Sequence, residues 1–219
     1  MFFGKGINCG CCRSCQAAEF FHGGIRMSYN VDKSSVFSFV LETGISKDRV
    51  PSKRYLSNLR GMVANDTALE EMIKKENSLV YEFYEMGVPE NSGDLAFGTS
   101  ICYPGKVGDE YFMTKGHFHA ILATAEVYLC LSGHGLMLME SPEGDCLYEE
   151  LLPGQMVYVP KRYAHRSVNI GKEPFVQFFT FRADAGHDYG TIETKGFRKL
   201  AVERDGKFAI IDNPKWGHR

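Results

Sequence analysis

The chain has 219 residues, of which 44% are hydrophobic and 24% charged, with 25 basic against 27 acidic residues and a net charge of −2. That composition belongs to a globular protein and excludes a wholly disordered or fibrous chain. The charge balance argues against a nucleic-acid or anionic-membrane binder, whose affinity comes from excess lysine and arginine; no apolar run approaches the roughly 20 residues of a spanning helix, and the opening MFFGKGINCGCC lacks a secretory pattern, so the chain reads as soluble and cytoplasmic.

Residues 1–26 crowd four of the seven cysteines, Cys9, Cys11, Cys12 and Cys15, ahead of His22. These are zinc-type donors, but only one knuckle is present where a structural site pairs two. Cys12-x-x-Cys15 also matches a redox pair without the strand and helix that would activate it. The segment reads as a non-catalytic leader, with Met27 a candidate start of the functional protein. The other thiols, Cys102, Cys130 and Cys146, sit singly in apolar surroundings, as reduced, buried cysteines do.

Residues 27–78 read as an N-terminal arm and two short helices. A short strand is expected around Val36–Leu41. One helix is expected from Ser52 as N-cap, with Leu56, Leu59 and Val63 on one face. A second opens with the capping box Thr67-x-x-Glu70, places Leu69, Met72 and Ile73 at i, i+3, i+4, and closes in Lys74 and Lys75.

From Leu79 the pattern changes to short apolar or alternating runs: LVYEFYEM, LAFGTSICY, EVYLCLSG, GLMLME, CLYEELL, QMVYVP, HRSVNI and FVQFFTF. Turn signals separate them: PGKVGD, SGHG, SPEGD, LPGQ and NIGKEP. Many strands joined by tight turns point to an antiparallel sandwich or barrel, here residues 79–219 with a C-terminal extension. Only Phe118–Ala125 leaves room for a helix in this part.

Two of the seven histidines stand in Lys115-Gly116-His117-Phe118-His119. Residues i and i+2 of a strand share a face, so His117 and His119 can share one ion. Glu126 opens the next strand, and His165 opens a later one after Gly154-x5-Pro160. Three imidazoles and a carboxylate suit one borderline divalent ion such as iron, manganese, nickel or zinc. Such a set leaves two positions of a six-coordinate ion for a bidentate substrate.

These two segments, His117-x-His119-x6-Glu126-x6-Gly133 and Gly154-x5-Pro160-x4-His165-x3-Asn169, resemble the paired motifs of the cupin superfamily. Within it, YPGKVGDEYFMTKGHFH, SPEGD, VYVP, AHRSVNIGKEPF and ADAGHDYGTIETKGF resemble the cupin-type (archaeal-type) glucose-6-phosphate isomerases, from about Leu79 to Trp216. Tyr111 stands where most cupins have a glycine, and the gap from His119 to Glu126 is longer than usual. The resemblance implies an all-β cupin double-stranded β-helix, a jelly-roll barrel carrying a short helical and extended N-terminal arm.

It also implies an aldose–ketose isomerase that interconverts glucose 6-phosphate and fructose 6-phosphate, with one Fe2+ per subunit (Mn2+, Ni2+ or Zn2+ fitting the same donors) on His117, His119, Glu126 and His165. Ser100, Thr114 and Gly116 fall at the family's phosphate positions, Ser100 replacing an expected threonine. Tyr81, Tyr128, His187 and Tyr189 fall on the sugar side, and Glu126 and His187 are the candidate catalytic groups. Tyr81 and Tyr128 equally read as core aromatics, Thr114 as an ordinary strand residue, and Lys115 as either a phosphate attractor or an outward side chain. His134 and His218 read as solvated. The alternatives are an iron dioxygenase on the same donors or a non-catalytic sugar-binding cupin. A homodimer is expected, with the arm closing a partner's sheet edge.

Overall fold

The computed structural model describes residues 34–217. The cysteine cluster, His22, Met27 and His218 lie outside the described residues. From the N-terminal side the order is β1 (Ser52–Tyr55), a 3-10 turn (Leu56–Leu59), α1 (Asp66–Lys75), β2 (Leu79–Glu85), β3 (Leu95–Cys102), β4 (Lys106–Val107), β5 (Glu110–Tyr111) and β6 (Phe118–His119). There follow β7 (Glu126–Ser132), β8 (Gly135–Glu140), β9 (Cys146–Leu151), β10 (Met156–Val159), β11 (Ala164–Asn169), β12 (Phe175–Arg182), β13 (His187–Asp188), α2 (Gly190–Lys195), β14 (Lys199–Arg204) and β15 (Lys207–Asp212). All eight apolar runs named from the sequence are strands.

The larger sheet has six strands in the order β1-β2-β3-β12-β7-β10; a three-stranded sheet, β11-β8-β9, supplies the second wall. Pairing is antiparallel throughout, and the register decides which residues face inward. Phe83 lies opposite Ser100, Ser100 opposite Gln177, Phe179 opposite Tyr128, and Phe181 opposite Glu126. Because side chains alternate across a strand, these residues share one face. That face and the inward side of β11 and β8 meet in a single core containing Tyr81, Tyr128, Phe179, Met137 and Met139. Gly98 permits the packing: a Cβ there would lie 1.9 Å from the Tyr84 carbonyl and 2.9 Å from the Phe179 ring.

β8 is buried on both faces, which explains its unbroken apolar run GLMLME. Its outer face is covered by a four-stranded sheet, β15-β14-β5-β4, and by α2. The β14–β15 hairpin and α2 went unread in the sequence. The hairpin signal was present in Asp205-Gly206, both in the left-handed region (φ 51° and 75°), as a two-residue type I′ turn requires. Glu140, fully buried, ties this layer down: it accepts from Lys195 Nζ at 2.8 Å, the Arg198 amide at 2.5 Å and Trp216 Nε1 at 3.1 Å.

The arm departs from expectation in three places. Val36–Leu41 is not a strand; the described part of the arm lies on the outer face of its own sheet. Phe37 packs edge-on against Phe97 and Phe39 stacks on Phe178, while Thr99 Oγ1 donates to the Gly44 carbonyl and Ser132 Oγ to the Glu42 carbonyl. Side-chain anchoring, not ladder pairing, holds it. The helix expected from Ser52 is replaced by β1 and one 3-10 turn, since the free edge of β2 captures Ser52–Tyr55. Leu56, Leu59 and Val63 are nevertheless buried. α1 starts ahead of the expected box: Asn65 Oδ1 caps it by accepting from the Ala68 amide at 3.0 Å, and Glu70 is committed to Arg60 at 2.7 Å instead. Finally, Phe118–Ala125 forms a short strand and a turn, not a helix.

Candidate metal centre

Gly116 sets the first ligands in place. Its φ of +75° belongs to the left-handed region, and a Cβ would stand 2.6 Å from the Phe197 ring and 2.8 Å from the His165 carbonyl. Only glycine lets the backbone turn this close to β11. Immediately after it, His117 and His165 exchange backbone hydrogen bonds of 3.3 and 3.1 Å. His119 lies opposite His187 in the β6–β13 ladder, and Glu126 opens β7 between Val159 and Phe181. His117, His119, Glu126 and His165 each bring one donor atom within 4.8 Å of every other.

The hydrogen bonds fix which atoms point inward. A carbonyl only accepts, so His119 Nδ1 donates to Thr124 O (3.2 Å) and His165 Nδ1 faces Tyr163 O (3.4 Å). Nε2 of His119 stands 3.1 Å and Nε2 of His165 2.9 Å from Glu126 Oε2. Two donors each about 2.1 Å from a shared ion stand about 3 Å apart, so the spacing fits one divalent metal. Nε2 of His117 and of His165 are buried with no hydrogen-bond partner, which fits nitrogens able to ligate an ion.

Charge is arranged for the same end. Burial, then the neighbouring His165 and His187 rings, holds His117 well below its ordinary 6.5, so its lone pair is available at neutral pH. Burial pushes the Glu126 carboxyl upward, but His165, His119 and His117 pull it further down, and it stays ionised. Burial and the Glu126 carboxylate raise Tyr128 well above 10, keeping it a neutral donor.

These shifts predict an acid-sensitive apoprotein. Unfolded, His117 titrates near 6.5 and Glu126 near 4.5. As pH falls through 6.5 the unfolded chain gains protons that the folded one refuses, so stability drops, and drops again below 4.5. The thermal midpoint of chelator-treated protein should fall steadily from pH 7.5 to 4; a flat profile would show that these groups are not held as described.

The residues expected around the ion divide into two places. On the rim, His187 and Tyr189 are exposed and stack at 5.7 Å, with the His187 ring 4.5 Å from that of His117. They border a 220 Å³ cavity also lined by Phe83, Glu85, Phe97 and Phe181. Away from the rim, Ser100 is buried in β3, and half-buried Thr114 accepts at Oγ1 from the Ser167 amide at 3.0 Å. The structure puts Tyr81 with this inner group: its hydroxyl accepts the Lys115 amide at 3.4 Å. Tyr128, next inward from Glu126 on β7, stands 5.7 Å from the His165 ring.

Lys115 Nζ is committed to Glu193 at 2.9 Å, favouring the outward reading. Behind it, Arg166 Nη2 donates to the Lys115 carbonyl at 2.7 Å and the guanidinium lies 4.1 Å over Phe197. His134 pairs with Glu150 at 2.5 Å on the surface. Cys102 and Cys130 are buried, and burial pushes their thiols to about 12 and about 11. Glu85, Ser167 and Gln177 were not singled out from sequence. For Gln177 a signal existed, a lone polar residue at an inward position of FVQFFTF.

A family model described as glucose-6-phosphate isomerase matches residues 53–217, beginning upstream of Leu79. The chain is 50% identical over 175 residues to the glucose-6-phosphate isomerase of Pyrococcus furiosus, covering 80% of this chain and 93% of that one. It is 48% identical to that of Thermococcus litoralis (80% and 92% covered) and 42% identical to that of Sinorhizobium medicae (74% and 77%). Among solved structures, an oxalate oxidase overlays 53% of this chain and 58% of its own at 14% identity, with a TM-score of 0.44. With three-quarters of its length matched and the motif histidines and glutamate gathered at one point, the chain belongs to the glucose-6-phosphate isomerase family.

Proposed function

We propose that this chain is a metal-dependent glucose-6-phosphate isomerase, an aldose–ketose isomerase interconverting glucose 6-phosphate and fructose 6-phosphate. The observation that carries the reading is the cluster His117, His119, Glu126 and His165, closed to within 4.8 Å, in a chain half identical to enzymes of that name. The residues fit one divalent ion per subunit, and Fe2+ is the ion proposed; Mn2+, Ni2+ and Zn2+ suit the same donors. Bound there, the ion supplies Lewis acidity toward the oxygens on carbons 1 and 2 of the open-chain sugar.

The protein's own groups do the rest. Ser100, Thr114 and the Gly116 backbone receive the phosphate, since hydroxyls and backbone N–H groups bind phosphate without a lysine cluster. Tyr81 braces that segment through the Lys115 amide. Tyr128 donates within the pocket, while His187 and Tyr189 at the rim orient the sugar hydroxyls and assist ring opening. Glu126, ionised and buried, takes the proton from carbon 2 and returns it to carbon 1. Phe179 and Phe181 wall the site against bulk water.

A homodimer is proposed on the exposed apolar side chains of β9 and β10, among them Tyr148, Met156 and Tyr158. The arm-exchange rationale is weaker, because the described arm packs on its own chain. One preparation tests the whole reading. Chelated, reloaded with Fe2+ and assayed with glucose 6-phosphate, it should regain fructose 6-phosphate formation without oxygen uptake, and scatter light at twice the 24.6 kDa chain mass. Oxygen consumption without isomerisation would replace the reading with a dioxygenase; sugar binding without turnover, with a sensor. A monomeric mass would remove the dimer alone.

A further inference from the structure

Gln177 is the buried polar residue of β12. It is 1% exposed and faces inward, in line with Phe175, Phe179 and Phe181 on the same face of the strand. Its side chain is anchored at one end only. Ser167 Oγ donates to Gln177 Oε1 at 2.5 Å, while Nε2, a donor of two N–H groups, is buried with no partner. A buried amide donor left unpaired is costly, and such groups in a well-packed interior ask for an explanation.

Its neighbours supply one. Gln177 lies directly opposite Ser100 in the β12–β3 ladder. On the other side, its anchor Ser167 is doubly tied to Thr114: the Thr114 amide donates to Ser167 O at 2.9 Å, and the Ser167 amide to Thr114 Oγ1 at 3.0 Å. The unpaired amide therefore belongs to the layer that holds the hydroxyls of Ser100 and Thr114. That layer sits one step along β11 from the metal cluster, because His165 and Ser167 are i and i+2 on the same face of that strand. The step is about 6.6 Å, comparable with the reach from carbon 2 of an extended hexose to its 6-phosphate.

We propose that Gln177, oriented by Ser167, is a further phosphate-binding residue whose Nε2 donates to a phosphate oxygen of the substrate. The identity of the anion as a sugar phosphate rests on the isomerase reading above; the oxyanion site itself rests on the unpaired donor and its neighbours. Anchoring remote from the reacting carbons uses binding to align them, so Gln177 acts on recognition and positioning, not on the proton.

The test is Gln177→Leu in the iron-loaded full chain, read with inorganic phosphate as competitive inhibitor. Its inhibition constant and the KM for glucose 6-phosphate should rise together by roughly tenfold to a hundredfold, the loss expected for one hydrogen bond to a charged group. The change in kcat should be smaller, and iron content should stay at the wild-type level. Thr114→Val gives the reference for losing one hydroxyl donor in the same layer. A purely structural Gln177 would lower the thermal midpoint and leave both constants unchanged, which overturns the proposal. Should the leucine variant not fold, Ser167→Ala keeps the amide and removes what orients it. A smaller rise in both constants supports the assignment there, and unchanged constants overturn it. Calorimetric titration with phosphate needs no turnover, so it decides the role of Gln177 even if the wild-type chain proved not to isomerise glucose 6-phosphate.

Discussion

His165→Ala should lose its metal and nearly all activity while keeping the barrel. His165 is 2% exposed and joins the two walls, its backbone in register with Met139 and bonded to His117, its Nε2 on Glu126. Mutating groups that merely support a metal ligand costs about 10–100-fold in affinity or activity, so deleting a direct ligand should cost at least that much. Metal content by mass spectrometry, turnover and circular dichroism together check this. His134→Ala, at the surface with Glu150, should leave all three at wild-type values. A folded, fully active and metal-free His165→Ala would sink the metal reading.

Glu126→Gln separates ligand from base. The amide keeps the shape and one oxygen but cannot accept a proton from carbon. With iron restored to the wild-type level, kcat should fall by about 10²–10⁴, the usual worth of a positioned base, with KM changing little. Glutamine also removes the buried negative charge, so metal content must be measured beside every rate. If the loaded variant turns over at the wild-type rate, Glu126 is a ligand only; His187, 4.5 Å from the His117 ring, is then the next candidate base. Isomerisation in deuterated water distinguishes the remaining possibility. Proton transfer through Glu126 exchanges label into the product, whereas a direct hydride shift between the carbons does not.

Much of this site was legible because its signals are local. The strands announced themselves through period-2 alternation and tight turns, and the ligands through short fixed spacings, His117-x-His119-x6-Glu126 on one stretch and His165 at the head of another. Where reading failed, a long-range partner overrode a local preference. Ser52–Tyr55 looked like a helix start and became an edge strand, because β2 offered unpaired backbone groups alongside. Thr67 and Glu70 made a plausible capping box, but Asn65 was better placed and Arg60 claimed the glutamate. Gly190–Lys195 gave too short a pattern to be read as a helix, and it is held by Lys195 on the buried Glu140 of a distant strand.

The sequence by itself determined that this chain builds an antiparallel all-β barrel with a three-histidine, one-glutamate centre, and which four residues form it. Those features are written in periodicity and spacing, which are properties of neighbours along the chain. Only the tertiary structure decided the rest: that Lys115 is neutralised by Glu193, that the arm folds back on its own sheet, that the Tyr81 hydroxyl accepts the Lys115 amide, and that Gln177 meets Ser167 and Ser100 with an unpaired donor. Each of these depends on residues about 10 to 80 positions apart brought together by strand register. Register is set by the packing of whole sheets, since slipping one strand by a single residue would turn every one of its side chains to the opposite face.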